Sequence, residues 1–346
     1  MIEFRNDYSE GAHESILQVL CDINRQQHRG YGEDTYCRQS EEILQKMCGQ
    51  PQAKLHFIPG GTLANLTVIA SILRPYQGVI AADTGHINAH ETGAIEATGH
   101  KVLSLPNKSG KITASDIQML SRQHWEDETH EHMVQPGMVY ISNTTELGSI
   151  YSLDELKNIS NVCRELQLPL FLDGARLGYA LASRGCDLDL QDIAQYCDVF
   201  TMGMTKQGAL FGEAVVILNP DLQTDFRYSI KQRGGMLAKG WLMGLQFEAL
   251  MQDDLYFDLS KHAVSLAMQL REGLEKLGVS FFADSPSNQQ FPILPNKVIN
   301  KLRDSFGFQI IQKADENSSI IRFCTSWATR EEDVRALLEA VARAIA

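Results

Sequence analysis

No stretch of this 346-residue chain is apolar over the roughly 18 to 20 residues that a transmembrane helix needs. The first residues, MIEFRNDYSEG, carry charges where a secretory signal has its apolar core. Neither a membrane location nor secretion is expected. Basic residues are the minority: 31 Lys and Arg stand against 43 Asp and Glu, a net charge of −12. Such a chain has no electrostatic footprint for nucleic acid, although a local basic pocket can still hold a small anion. The seven cysteines (Cys21, Cys37, Cys48, Cys163, Cys186, Cys197 and Cys324) are scattered and form no C-x-x-C pair. They suit a reducing cytoplasm and free thiols, not a disulfide framework or a zinc site. There is no internal repeat. The one polar insertion, Gln123–Gln135, holds His124, His130 and His132, but no spacing of a known metal module. It reads as a solvated loop, and no metal is expected.

What is present is an ordinary globular composition, 44% hydrophobic and 21% charged, with ample material for a core. Short apolar runs alternate with helical patterns. Leu55–Ile58, Val79–Ala82, Val102–Leu105, Met138–Ser142, Leu168–Leu172, Val199–Met202 and Ala214–Leu218 read as strands. Thr62–Leu73, Ala89–Thr98 and Ser152–Leu166 read as helices between them, the last opened by a Ser152/Glu155 capping box. Non-alternating apolar strands separated by helices predict an α/β fold with a mostly parallel sheet covered on both faces. After about residue 250 the pattern changes. A long amphipathic helix, Leu259–Leu277, strand-like Val279–Ala283 and Ser319–Phe323, and a final helix, Arg330–Ala346, predict a smaller α+β domain.

Two segments carry most of the chemistry, FLDGAR and GMTKQGA. Asp173 lies at the carboxyl end of an apolar strand, where open α/β sheets place ligand groups. Lys206 follows 33 residues later, in a loop of small residues that includes Gly203, Thr205 and Gly208. A lone loop lysine is usually a surface residue. Together with a strand-end aspartate it is the pair that pyridoxal phosphate needs: an amine to join the aldehyde, and a carboxylate to keep the ring nitrogen protonated. Pro59-Gly60-Gly61-Thr62 opens a helix whose N–H groups suit a phosphate. In Thr84–Glu91, one histidine is expected to cover the ring face. His86 is nearer the strand end than His90 and is preferred.

The ordered motifs FRNDYSEGAH, GYGED, PGGTLAN, TGHINAHETGAIE, FLDGARLGYAL and TKQGALFGEAVV resemble the threonine aldolase and β-eliminating lyase family. IIRFCTSWATREEDV extends the resemblance into the last third. It implies the aspartate aminotransferase-like fold of pyridoxal-phosphate enzymes. Residues 1–35 would form an arm that contributes to the site, 36–250 the large cofactor-binding domain and 251–346 the small domain. It also implies that Lys206 joins the cofactor, Asp173 faces the pyridine nitrogen, His86 stacks on the ring, and Gly61 and Thr62 hold the phosphate beside Thr205. Arg176 and Arg322 resemble the arginines that grip the substrate carboxylate, a task suited to a planar fork. Asn6 and Tyr31 fall in site-lining segments, Tyr31 from a neighbouring subunit. Lys231, Arg233 or Lys239 would lend a cation to the phosphate across the interface of a homodimer or homotetramer.

The implied reaction is retro-aldol cleavage of a β-hydroxy-α-amino acid to glycine and an aldehyde. β-Elimination, racemisation and transamination are the alternatives on the same scaffold. The base could be His86, Glu91 acting through a water, or a water alone. Two positions depart from the family pattern: Asn6 stands where many members have Ser, and Thr145-Glu146 stands where many have a histidine that contacts the β-hydroxyl. The pocket for the β-substituent is therefore expected near Asn143–Glu146, with loose discrimination between threonine isomers and room for a bulkier substrate such as phenylserine.

Overall fold

The computed structural model describes residues 1–345. A short strand, β1 (Ile2–Glu3), opens the chain. The central sheet has seven strands: β2 (Lys54–Ile58), β3 (Gln77–Ala82), β4 (Lys101–Leu105), β5 (Gln135–Ser142), β6 (Leu170–Asp173), β7 (Val199–Gly203) and β8 (Glu213–Ile217). Their order is β2-β8-β7-β6-β5-β3-β4. The β7-β6-β5-β3-β4 run is parallel, and β8 lies antiparallel to both β7 and β2. Every residue of β6, β7 and β8 is buried, which is why apolar residues such as Leu170–Leu172 and Ala214–Ile217 follow one another there and do not alternate with polar ones. Two apolar clusters cover the sheet, one centred on Ile141, Leu172 and Phe247, the other on Val79, Tyr140 and Phe171.

Local signals set the helices. The helix Leu153–Glu165 starts at a capping box in which Ser152 and Glu155 satisfy each other's backbone N–H. Gly61–Ile72 is apolar on all sides and packs Ala64, Val68 and Ile69 into the core. Ala89–Thr98 departs from the expected single helix. It is a four-residue turn, His86–Ala89, followed by a 3-10 turn at Glu96–Thr98. Thr92 (φ 54°) and Gly93 (φ 71°) adopt left-handed backbone between them, which no continuous helix accommodates.

The last third carries β9 (Gln289–Gln290), β10 (Ile293–Pro295), β11 (Phe306–Gly307), β12 (Gln309–Lys313) and β13 (Ser318–Cys324). β10, β12 and β9 all pair antiparallel with β13. Val279–Ala283 is not a strand, because only Phe281 bridges to Pro292. The long helix Leu255–Lys276 and the final helix Glu331–Ile345 pack Leu270, Leu274, Leu337 and Val341 into a third core. Phe4 belongs to that core, and β1 pairs with β11. The chain's start is thus fixed to the last third and runs from there toward the cleft. No described helix is long and apolar enough to cross a membrane.

Candidate active site

The parallel strands deliver their carboxyl ends to one side of the sheet, as open α/β sheets do for ligand sites. Register aligns them: Ser142 pairs with Asp173, while Gly203 and Ile58 both pair with Glu213. A cleft of about 270 Å³ opens there, lined by Lys206, Asp173, His86, Arg176, Thr205 and the turn Pro59–Thr62. Two glycines permit the close approach of neighbouring strand ends. A Cβ on Gly174 would overlap the Thr201 carbonyl oxygen, and one on Gly203 would overlap that of Ala175.

Asp173 is a buried carboxylate with three donors. Tyr140 Oη donates to Oδ2 at 2.5 Å, Asn65 Nδ2 to the same oxygen at 2.9 Å, and the Ala175 N–H to Oδ1 at 2.9 Å. Burial pushes its pKa up, but the neighbouring His86 and these bonds outweigh burial and hold it below the usual carboxylate value. His86 Nδ1 lies 2.8 Å from Glu91 Oε1, which also accepts from Asn65 Nδ2 at 2.8 Å. Asn65 therefore ties the histidine–glutamate pair to Asp173. Neither Asn65 nor Tyr140 was singled out from the sequence. The signal for Asn65 is its place four residues after Gly61, one turn along the same helix face.

Lys206 sits in a 3-10 turn after β7, with Gly208 at φ 99° just beyond. Burial lowers its pKa and Arg176 lowers it further, so its amine loses its proton more easily than an ordinary lysine. Glu213 is the site residue that sequence reasoning missed most plainly. It lines the same cleft, is 5% exposed, and its Oε2 has no hydrogen-bond partner. Burial pushes its pKa up to about 8, against the pull of Lys206.

Other expected residues stand differently. Arg176 reaches the cleft, but its fork is engaged by Asp7: Nε donates to Oδ2 at 2.7 Å and Nη2 to Oδ1 at 3.0 Å. Asn288 Nδ2 completes the Asp7 cluster at 2.9 Å. Asn6 closes its own turn, accepting from the Tyr8 N–H and the Ser9 hydroxyl, each at 3.0 Å; its neighbour Tyr8 lines the cleft instead. Tyr31 lies apart, in a crevice with Arg227 and Met236, under Lys231 Nζ at 4.6 Å. Lys231, Arg233 and Lys239 do not line the cleft of their own chain. Arg322 opens onto an adjoining cavity of about 550 Å³, together with His90, Leu147, Phe282 and Phe291. It donates to Gln289 Oε1 at 3.2 Å and to the Arg5 carbonyl at 3.4 Å, while its buried Nε has no partner. Thr145 turns inward, 1% exposed and 2.8 Å from the Ser149 hydroxyl, whereas Thr144 and Glu146 line the cleft.

These residues fit pyridoxal phosphate. A Cβ added at Gly60 or Gly61 meets nothing within 4 Å, so the backbone at the start of Gly61–Ile72 borders open space where a phosphate can approach its N–H groups. Lys206 and Asp173 line the same cleft as that turn, one able to take the aldehyde and the other to face a protonated ring.

Comparison with known proteins agrees. The family model described as β-eliminating lyase matches residues 4–294. The low-specificity L-threonine aldolase of Pseudomonas aeruginosa is 31% identical over 97% of this chain and 95% of its own. That of Escherichia coli is 27% identical over 70% of this chain and 71% of its own. The structure of a threonine aldolase from Leishmania major superposes with a TM-score of 0.97 at 46% identity, covering 100% of both chains. Aspartate aminotransferase from Thermus thermophilus, at 14% identity and a TM-score of 0.73 over 99% of this chain and 91% of its own, shares the fold.

Proposed function

Because the chain belongs to the β-eliminating lyase family, we propose that it is a pyridoxal-phosphate carbon–carbon lyase that cleaves a β-hydroxy-α-amino acid of the threonine type to glycine and an aldehyde. One observation carries the reading: Lys206, Asp173, His86 and the Gly60–Thr62 turn line a single cleft at the strand ends. Pyridoxal phosphate, when bound, supplies an aldehyde for amines and a protonated ring that draws electrons from the substrate Cα.

The chain's own residues do the rest. Lys206 offers an amine whose proton is loosened by burial. Asp173, kept ionised by its three donors, would hold the proton of the ring nitrogen. His86, fixed by Glu91, would stack on the ring. Arg322 has the free N–H of a fork for the substrate carboxylate, and the choice of Cα bond to be broken follows from that grip. Arg176 shapes the cleft as one half of the Asp7 pair.

The same reading makes the protein a cytoplasmic homodimer or homotetramer with shared sites. In support, all seven cysteines are free thiols, and the Gly60–Thr62 turn has Lys206 and the engaged Arg176 as the only Lys or Arg side chains of its own cleft among the described residues. A second subunit would complete the phosphate site. Incubating the purified protein with L-threonine, L-allo-threonine and phenylserine while assaying glycine and aldehyde tests the reaction. Release of ammonia and a keto acid, with no glycine, would replace it with β-elimination.

A further inference from the structure

Two cavities meet at one side chain. The cleft of about 270 Å³ holds Lys206, Asp173 and His86, and the cavity of about 550 Å³ holds Arg322 with Leu147, Phe282 and Phe291. Glu146 lines both. A substrate with its amine at Lys206 and its carboxylate toward Arg322 spans the junction, so its Cα–Cβ bond passes Glu146. We propose that Glu146 is the catalytic base that takes the β-hydroxyl proton as the Cα–Cβ bond breaks. This rests on the retro-aldol reading given above.

The carboxyl is held for such a task. Its Oε1 accepts from the His86 N–H at 2.9 Å and from the Ser142 hydroxyl at 2.8 Å. These two donors fix its plane. Burial pushes its pKa up and the Ser142 bond opposes this, leaving a base stronger than an exposed carboxylate. The groups that face it are His86 and His90 from the turn after β3, Tyr140 from β5, Tyr151, Asp173 from β6, and Arg322 from β13. The other acceptors stand off the junction or are engaged: Glu213 lines the cleft but not the larger cavity, and His90 lines the larger cavity but not the cleft. His86 Nδ1 is bound to Glu91, and the Glu91 side chain is fully buried beneath it, outside the residues lining the cleft. In the step, the β-O–H bond breaks and its proton passes to the Glu146 carboxylate. The O–H electron pair becomes the second bond of the aldehyde carbonyl. The Cα–Cβ pair stays on Cα, which a proton later converts to glycine.

Glu146→Gln tests this in the holoenzyme. The variant should remain yellow and should bind glycine, which has no β-hydroxyl, with wild-type affinity by visible titration. Its kcat for threonine cleavage should fall by about 10²- to 10⁴-fold, the range for a lost general base. A smaller fall, or a loss of glycine affinity, overturns the proposal. If the variant does not hold cofactor, Ser142→Ala decides. Removing that donor raises the Glu146 pKa, so the acid limb of the kcat/KM–pH profile should move to higher pH; an unmoved limb overturns the proposal. A wild-type enzyme that releases no glycine and aldehyde fails the retro-aldol reading itself. Cleavage by wild type and Glu146→Gln alike fails Glu146 alone.

Discussion

The cofactor side of the cleft and its substrate side are built from different material. On the first, Asp173 sits at the end of a fully buried strand, and Tyr140, Asn65 and the Ala175 N–H hold it with three hydrogen bonds. On the second, Arg322 makes hydrogen bonds of 3.2 and 3.4 Å, leaves Nε unpartnered, and faces a cavity bordered by Phe282 and Ile311. The sheet presets the first side at no further ordering cost, as electrostatic stabilisation requires. The second keeps hydrogen-bonding capacity in reserve for a ligand. Substitutions on the first side should therefore reduce turnover, and those on the second should reduce affinity.

Of the two sides, the cofactor side should give the larger effect. Asp173→Ala is expected to lower kcat by about 10²- to 10³-fold, the size of losing one preorganised electrostatic partner, while cofactor content changes less. Steady-state kinetics beside an absorbance measurement of bound cofactor checks both. Wild-type turnover would assign the role to another residue. Arg322→Ala should raise KM roughly ten- to a hundredfold, since a charge-assisted bond contributes about 1.5–3 kcal/mol. An unchanged KM would remove Arg322 from the substrate side and leave the comparison without its second half.

The difference in what each side reveals in sequence has a physical origin. Asp173 and Lys206 were legible because a buried strand advertises its own end, and chemistry placed there has few structural duties. Gly61 and Thr62 were legible because glycine before a helix marks close backbone approach. Glu213 was not, because it opens an apolar strand and reads as that strand's polar boundary; only the pairing with Gly203 and Ile58 brings it beside Lys206. Arg176 was legible as an arginine in the right place, but its partner Asp7 lies 169 residues away in sequence, so its engagement was not. Thr145 and Glu146 are neighbours with opposite directions, set by the turn that bonds the Thr145 N–H to the Ser149 carbonyl. No pattern in the sequence distinguishes which of the two faces the cleft. Ala89–Thr98 has helical spacing, and left-handed residues override it.

Two smaller effects sharpen the comparison. The Glu213 pKa is raised by burial to about 8 from 4.5. The folded state thus prefers its protonated form, and the stability this contributes is complete below pH 4.5 and lost as pH rises through about 8. Glu213→Gln cannot ionise, so it should melt higher than wild type at pH 8 and together with it near pH 4.5. Equal melting at both pH values would mean that Glu213 is not confined as the cleft requires. Thr145→Val, on the inward-facing neighbour of Glu146, should cost about 0.5–1.5 kcal/mol of stability for its lost hydrogen bond. The ratio of threonine to phenylserine cleavage should stay at the wild-type value. A changed ratio would put Thr145 back in the substrate pocket.

The claim on which both sides depend is that Lys206 carries pyridoxal phosphate at the strand ends. Borohydride reduction of the yellow holoenzyme, followed by proteolysis and peptide mapping, measures this directly. The label should fall on Lys206, and Lys206→Ala should remain colourless and unlabelled. A label on Lys231 or Lys239, or a Lys206→Ala protein that still binds and is reduced at another lysine, would contradict it.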